Sequence, residues 1–165
     1  METMFRAMRR KGQELPLEIC QEMLRRGSSG VLALLGDDDY PYAVPMSYVY
    51  ADGKIYFHSA AEGHKVDAVA GHPKASFCVI DQDQVVPQEY TTYFRSVIAF
   101  GKIRVISDER EKRSAIESLS GKYAPHMPRE RTRQAIDNEW AQLCILELNI
   151  EHLSGKEAVE LMKNA

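Results

Sequence analysis

The chemistry in this chain is concentrated in the run Ile55-Tyr56-Phe57-His58-Ser59-Ala60-Ala61-Glu62-Gly63-His64-Lys65. A strand through Phe57 would send neighbouring side chains to opposite faces, and a loop after Ser59 would let His58, Ser59, His64 and Lys65 converge. Ser59 offers a hydroxyl donor, Lys65 a positive charge, and backbone amides entering a helix offer further donors. Together these groups could hold a phosphate monoester. The same residues also suit a plainer use, as a solvated lysine and two histidines that satisfy local hydrogen bonds. His64 need not be charged at neutral pH, so Lys65 is the firmer of the two cationic candidates.

Two further segments carry ligand-binding features. In Pro41-Tyr42-Ala43-Val44-Pro45-Met46-Ser47-Tyr48-Val49-Tyr50, Pro45 has no backbone N–H and marks an edge, bulge or interrupted ladder. Such a strand could turn the backbone of Pro45, Met46 and Ser47 toward a planar heterocycle, while Tyr48 and Tyr50 serve as half-buried sheet residues or line a flat ligand or dimer seam. In Glu89 to Gly101, Arg95 and Ser96 are ligand or interface candidates, equally at home as exposed polar residues at a strand start. Trp140 reads first as a core anchor. His58, His64, His72, His126 and His152 form no compact metal motif with cysteines or carboxylates, so no metal site is expected. There is no Gly-x-Ser-x-Gly elbow and no local signature for thiol attack.

The elements that must position these residues read as follows. Pro16 opens a helix carrying Ile19, Cys20 and Met23 that stops near Gly27. Gly30 to Gly36 is a short buried strand, Asp37-Asp38-Asp39 a turn, and Tyr42 to Tyr50 a second β segment. Asp52-Gly53 is the strongest hairpin signal and should return Lys54–Ser59 against Ser47–Tyr50. A short helix through Val66, Val69 and Ala70 follows, then a strand over Ala75–Ile80, a polar loop over Asp81–Glu89 and a long strand over Tyr93–Val105 with a bend or bulge at Gly101. Ser107 caps the next helix, a shorter helix covers Glu130–Ile136, and Leu143–Ile150 is the last strand. About six strands with helices at the margins fit a small closed barrel better than a doubly wound sheet.

The chain has 165 residues with a net charge of -3, from 21 lysines and arginines against 24 acids. That length favours a single domain, 1–165, with a flexible arm over about 1–12 and a polar tail over about 155–165. The charge balance disfavours nucleic-acid binding, and Arg6, Arg9, Arg10 and Lys11 read as a solvated arm. No apolar run is long enough to cross a membrane, and the opening residues contain no secretory core. Cys20, Cys78 and Cys144 are scattered and odd in number, which is the pattern of reduced thiols in a cytoplasmic protein.

Over approximately Met8 to Lys156, and best in Gly30–Gly36, Tyr40–Lys65, Glu89–Gly101 and Ile150–Glu157, the chain resembles the pyridoxamine 5'-phosphate oxidase-like FMN-binding split-barrel superfamily. Within it, Tyr42-Ala43-Val44-Pro45, Tyr56-Phe57-His58-Ser59 and Glu62-Gly63-His64-Lys65 resemble the nitroimidazole-resistance-protein, or nitroimidazole reductase-like, branch. The resemblance implies a mainly β split barrel with peripheral helices and a homodimer holding flavin mononucleotide (FMN) at the subunit interface. It implies His58 and Ser59 at the strand-end part of the phosphate region and His64 and Lys65 in its basic part. Pro45, Met46 and Ser47 would then run along the flavin ring, with Ser96 and Val97 approaching from another strand. The oxidase branch itself usually has arginine where His64 stands, and a full residue set for a phosphorylated pyridoxamine substrate is missing. The implied activity is electron transfer from a reduced nicotinamide to a nitroaromatic or other oxidised small molecule. A flavin-storage or sensing protein, or a related barrel using haem or a deazaflavin, stays open as an alternative, as does a ligand-free structural dimer.

Overall fold

The computed structural model describes residues 5–162. Pro16, with φ −56°, precedes α1 (Leu17–Arg26), whose Cys20, Met23 and Leu24 fall on one face and are fully buried. The Gly27 N–H bonds the Met23 carbonyl and ends the helix. Strands β1 (Ser29–Leu35), β2 (Pro41–Ser47), β3 (Val49–Ala51) and β4 (Lys54–Ala60) follow. The turn between β3 and β4 holds Asp52 at φ 49° and Gly53 at φ 77°, the pair of positive angles that a tight twisted hairpin demands. After α2 (His64–Gly71) come β5 (Lys74–Val86), β6 (Thr91–Val105), α3 (Glu109–Tyr123), α4 (Arg129–Glu139), β7 (Leu143–Glu157) and α5 (Val159–Met162).

The seven strands form one antiparallel sheet in the order β2-β1-β5-β6-β7-β4-β3. Its two edge strands, β2 and β3, are separated in the chain by Tyr48 alone. The sheet must therefore curl until its ends meet at that residue, which makes a barrel split along one seam. Inside lie Leu32, Ile55, Phe57, Phe77, Val79, Val97, Leu146 and Leu148, all nearly or fully out of water, with α1 packed against the same core. Each such side chain contributes about 1.5–3 kcal/mol through burial. A second cluster, Ile106, Ala115, Ile116, Leu119, Ile136 and Ile145, seats α3 and α4 on the outside of the barrel, where Trp140 packs beside it under Lys112 and Arg113.

The seam needs help from side chains, because a chain that passes from one sheet edge to the other leaves backbone groups without a ladder. Tyr48 is fully buried, and its hydroxyl donates to the Leu24 carbonyl at 2.6 Å. Its amide donates to the Tyr123 hydroxyl at 2.8 Å, and its carbonyl accepts from the Lys122 ammonium at 2.9 Å. The end of α3 thus latches the seam. Burial among these carbonyls pushes the Lys122 ammonium below the ordinary lysine range.

Several sequence expectations need correction. The 42–50 segment is two strands rather than one, so the sheet has seven strands instead of six, and only Val49–Ala51 pairs with β4 while Ser47 pairs with Ser29. Residues Asp81–Glu89 are not a loop: β5 runs on to Val86 and pairs with Thr91–Arg95 after a register shift between Ile80 and Gln82. This outer half of the hairpin has exposed residues such as Asp83, Gln84 and Val85, so the apolar alternation that marks a barrel strand is absent there. Asp108, not Ser107, caps α3, accepting from the Glu111 amide at 2.9 Å. Gly155–Glu157 belong to β7 rather than a polar tail. Gly101 does lie at a bulge, since Phe100 pairs with His152 and Gly101 with Ile150, leaving Glu151 as the extra residue.

Candidate functional site

The ladders align outward-facing side chains in rows. Pro45, Val31, Cys78, Ile98 and Ser154 stand side by side across β2, β1, β5, β6 and β7. Ala43, Ala33, Ser76, Phe100 and His152 make the next row. Neither row contains an acid, a lysine or an arginine. The outside of a solvated antiparallel barrel ordinarily alternates with its apolar interior by being polar; these two rows are mostly small or apolar on the outside as well, with Val31 40% exposed, and the next row, Ile80, Ser96 and Lys156, brings in a lysine beside an isoleucine that is 64% exposed. At the edge of the wall, Pro45 lies opposite Val31 in the sole ladder of β2 and has no N–H to give, so its nitrogen faces away from β1 along the seam side.

Pro45 and Ser47 are exposed on this edge, whereas the Met46 side chain between them points into the core at 7% exposure. Ser96 lies on the outer face of β6, in register with Ile80 and Lys156. Val97 is different: it is fully buried and its strand is paired on both sides, with Val79 and with Gly155, so it presents neither side chain nor free backbone to the wall. Arg95 is committed as well. It donates to Glu157 at 2.9 Å and reaches Asp81 at 3.4 Å, while Arg26 grips both oxygens of Asp81 at 2.6 Å. The Arg26 guanidinium is the main reason that Asp81 sits below the usual carboxylate range, against an opposing effect of burial.

At the end of β4, His58 is exposed and the Ser59 hydroxyl donates only to the adjacent Ala60 carbonyl, at 3.1 Å. Gly63 then takes φ 132° and ψ 176°, a conformation essentially closed to residues with a side chain, and α2 begins at His64. No side chain caps α2, and its first backbone bond runs from Asp67 N–H to the Gly63 carbonyl. The amides of His64, Lys65 and Val66 are therefore unclaimed and point out of the helix start. Lys65 beside them has no ion-pair partner among the described residues. Unclaimed amides, a positive helix end and one lysine are groups that could seat an anion, which makes this helix start the candidate anion seat.

His64 has a use that its spacing did not reveal. Its ring stacks on Tyr42 with centroids 3.9 Å apart and 20° between planes, and its Nε2 lies 3.9 Å from the Asp37 carboxylate. A Cβ on Gly36 would stand 3.0 Å from that nitrogen, so glycine there leaves room for the ring. The stack fastens the start of α2 to the start of β2 and so ties the anion seat to the strand that carries Pro45 and Ser47. His64 is thus seated by an aromatic and a glycine, and Lys65 alone is the free cation of the pair. Tyr42 and Gly36 were not legible as site residues because nothing in the sequence pairs them with position 64.

Burial pushes the thiols of Cys20, Cys78 and Cys144 up, away from thiolate reactivity. Among the described residues no group of three or more His, Cys, Asp and Glu is placed to hold a metal ion. No described helix is long and apolar enough to cross a membrane.

A curled antiparallel sheet split at one seam, with helices at its margins, defines a split-barrel protein. The chain belongs to the pyridoxamine 5'-phosphate oxidase family, whose sequence model matches residues 16–157. Among solved structures it is similar to a conserved hypothetical protein from Mycobacterium tuberculosis (17% identity, 94% of this chain and 93% of that one, TM-score 0.81). It is also similar to a candidate 5-nitroimidazole antibiotic resistance protein from Bacteroides thetaiotaomicron (19% identity, 87% and 86%, TM-score 0.71). An FAD-binding protein from Mesorhizobium loti shares 25% identity over 88% of this chain and 97% of its own, with a TM-score of 0.66. No curated protein matches the chain.

Proposed function

We propose that this protein is a cytoplasmic FMN-dependent oxidoreductase that acts as a homodimer, taking electrons from a reduced nicotinamide and giving them to a nitroaromatic or other oxidised small molecule. The observation that carries this is a pairing: the uncapped start of α2 with its unpaired Lys65 is tied by the His64–Tyr42 stack to the edge of an outer wall with two adjoining rows that hold no acid, lysine or arginine. An anion seat joined to an apolar wall suits a ligand with a phosphate at one end and a flat ring at the other. The FAD-binding relative supports a flavin. One helix end and one lysine suit the single terminal phosphate of FMN.

In this reading the His64, Lys65 and Val66 amides and the Lys65 ammonium hold the phosphate, with Ser59 turning its hydroxyl from Ala60 to join them. Pro45 and Ser47 present the edge of β2 to the ring, and Ser96 the outer face of β6. The flavin, when bound, supplies the redox chemistry, and the protein orients it and keeps water from it. A second copy laid against the outer wall would bury Val31 and Ile80 and close the cleft. Three cysteines without a disulfide fit a reducing compartment.

The test is a titration of FMN and, separately, FAD into the purified full chain, followed by absorbance and by chromatography of the flavin released on denaturation. FMN should bind at one per chain, and Lys65→Ala should weaken it about tenfold or more, as expected for loss of a charge-assisted bond. Unchanged FMN affinity in that variant sinks the phosphate assignment. NADH- or NADPH-dependent bleaching followed by reoxidation with a nitroaromatic separates an oxidoreductase from a flavin store.

A further inference from the structure

Beyond the bulge at Gly101 the outside of the sheet changes character. Lys54, Asn149, Lys102 and Lys74 stand side by side across β4, β7, β6 and β5, and Tyr56, Glu147 and Arg104 make the next row. Glu151, the extra residue of the bulge, separates these rows from the Phe100–His152 row. On β4, Lys54 comes five residues before Ser59 (59 − 54), about 17 Å along the strand and at the end away from α2. Lys74 lies directly opposite Lys102, where like charges with Cβ atoms roughly 5 Å apart destabilise a sheet. Neither lysine has an ion-pair partner among the described residues.

The acid in the second row does not neutralise this patch. Glu147 is 4% exposed, and both its oxygens already accept from Arg104, from Nε at 3.1 Å and Nη2 at 3.2 Å, with the Lys54 ammonium 3.6 Å away. Arg104 Nη2 also donates to Glu111 at 2.8 Å. The buried carboxylate thus holds two cations in place. Beside it, Lys54, Lys102, Arg104 and Asn149 line a cavity of about 420 Å³, at the small end of the range for organic ligands. Among the described residues, Arg104 Nη1, the Asn149 side-chain NH2 and the Lys102 ammonium have no hydrogen-bond partner, so the cavity offers donors in need of acceptors. Lys54, Lys74, Lys102 and Arg104 set against Glu147 and Glu111 leave two positive charges over, in a chain of net charge -3.

We propose that this cavity binds a small phosphorylated compound, with one phosphate over Asn149 between Lys54 and Lys102, a donor from Arg104 beside it and, in a diphosphate, the second phosphate reaching Lys74. The anion relieves the repulsion between Lys74 and Lys102 and accepts from the donors that Glu147 leaves free; Glu147 is a positioning residue. The site goes beyond the flavin assignment and stands without it, since it shares no residue with the α2 start or with the Pro45 and Phe100 rows.

The experiment is calorimetric titration of pyrophosphate, with inorganic phosphate and sulfate as comparisons, into the full chain in the presence of FMN and into the Lys65→Ala variant. One pyrophosphate should bind per chain, more tightly than phosphate or sulfate. Lys102→Gln should weaken it about fivefold and Lys74→Gln/Lys102→Gln about twentyfold, the product of two exposed ion pairs, while Lys74→Gln alone weakens pyrophosphate and spares phosphate. These variants should unfold no lower than the parent, because each removes a repulsive pair. Lys65→Ala should leave pyrophosphate binding unchanged while losing FMN, which separates failure of this site from failure of the flavin site. Sedimentation with phosphatidate-containing vesicles should leave the chain in the supernatant, which separates a free phosphate compound from a lipid headgroup. Equal affinity for pyrophosphate and sulfate, unchanged binding in the double variant, displacement of pyrophosphate by FMN, pelleting with the vesicles, or no binding in the millimolar range would each overturn the proposal.

Discussion

Replacing Tyr123 by phenylalanine removes one oxygen from the barrel seam and nothing else. That oxygen accepts the Tyr48 N–H at 2.8 Å and lies 2.7 Å and 2.5 Å from the carbonyls of Tyr48 and Ser28. The Tyr48 carbonyl keeps a donor in Lys122, and the Ser28 carbonyl is at the surface, where water can replace the phenol. The N–H of Tyr48 is left alone in a residue with 0% exposure. An orphaned buried donor costs about 1–3 kcal/mol, and since Tyr123 is itself 43% exposed the lower half of that range applies, about 1–2 kcal/mol. For a chain of this length that is a fall of about 2–8 °C in the unfolding midpoint. Urea unfolding followed by circular dichroism measures the loss, and amide hydrogen exchange at Tyr48 shows whether it originates at the seam. Because the seam joins β2 to β3 and β4, FMN affinity should fall with it. A midpoint within 1 °C of the parent, with the Tyr48 amide equally protected, would refute the idea that α3 latches the barrel.

Three other outcomes follow from the same geometry. A methyl group on Gly101 would stand 2.0 Å from the Asn149 carbonyl oxygen, so Gly101→Ala must displace backbone at the bulge and should cost about 3 kcal/mol in denaturant unfolding; a loss under 1 kcal/mol would mean that the bulge gives way freely. The Asp81 carboxyl titrates lower in the folded chain than its ordinary value of 3.8, so its stabilisation is full above that value and is lost as pH falls through the folded one. Asp81→Asn should therefore destabilise at pH 7 and converge with the parent in strong acid, and a difference independent of pH would contradict the ion-pair account. Val31→Glu places a charge in the middle of an outer-wall row without acids, lysines or arginines, at a residue 40% exposed in the single chain. Sedimentation should show a dimer become a monomer with little change in unfolding temperature, and an undisturbed dimer would show that the wall is not the mating surface.

Local patterns in the chain already specified much of the barrel. The Asp52-Gly53 turn, the α1 face of Cys20 and Met23 and the glycine at the β6 bulge are set by backbone freedom and side-chain period within a few residues, and each appears where those rules put it. The helix start at Gly63-His64-Lys65 was legible for the same reason, since a glycine before a helix and a lysine in its first turn are neighbours in sequence. Partners far apart in the chain were not. The Gln82–Val86 strand looks like a loop because its ladder with Thr91–Arg95, not burial, makes it a strand. The pairing of His64 with Tyr42 and the folding of Phe5 onto His152 join residues 22 and 147 positions apart (64 − 42 and 152 − 5), which no periodicity encodes.

Facing direction was the other hidden quantity. Alternation says that Ser96 and Val97 point to opposite sides, but only closure of the sheet says which side is the interior, and it places Val97 in the core and Ser96 on the wall. The sequence by itself determined the hairpin turn and most of the barrel strands, because those depend on bonds and contacts between near neighbours. Tertiary structure alone decided the outward rows of small and apolar residues, the seam latched by Lys122 and Tyr123 and the docking of Phe5 on His152, because each is made by segments far apart in the chain that meet only in the folded sheet.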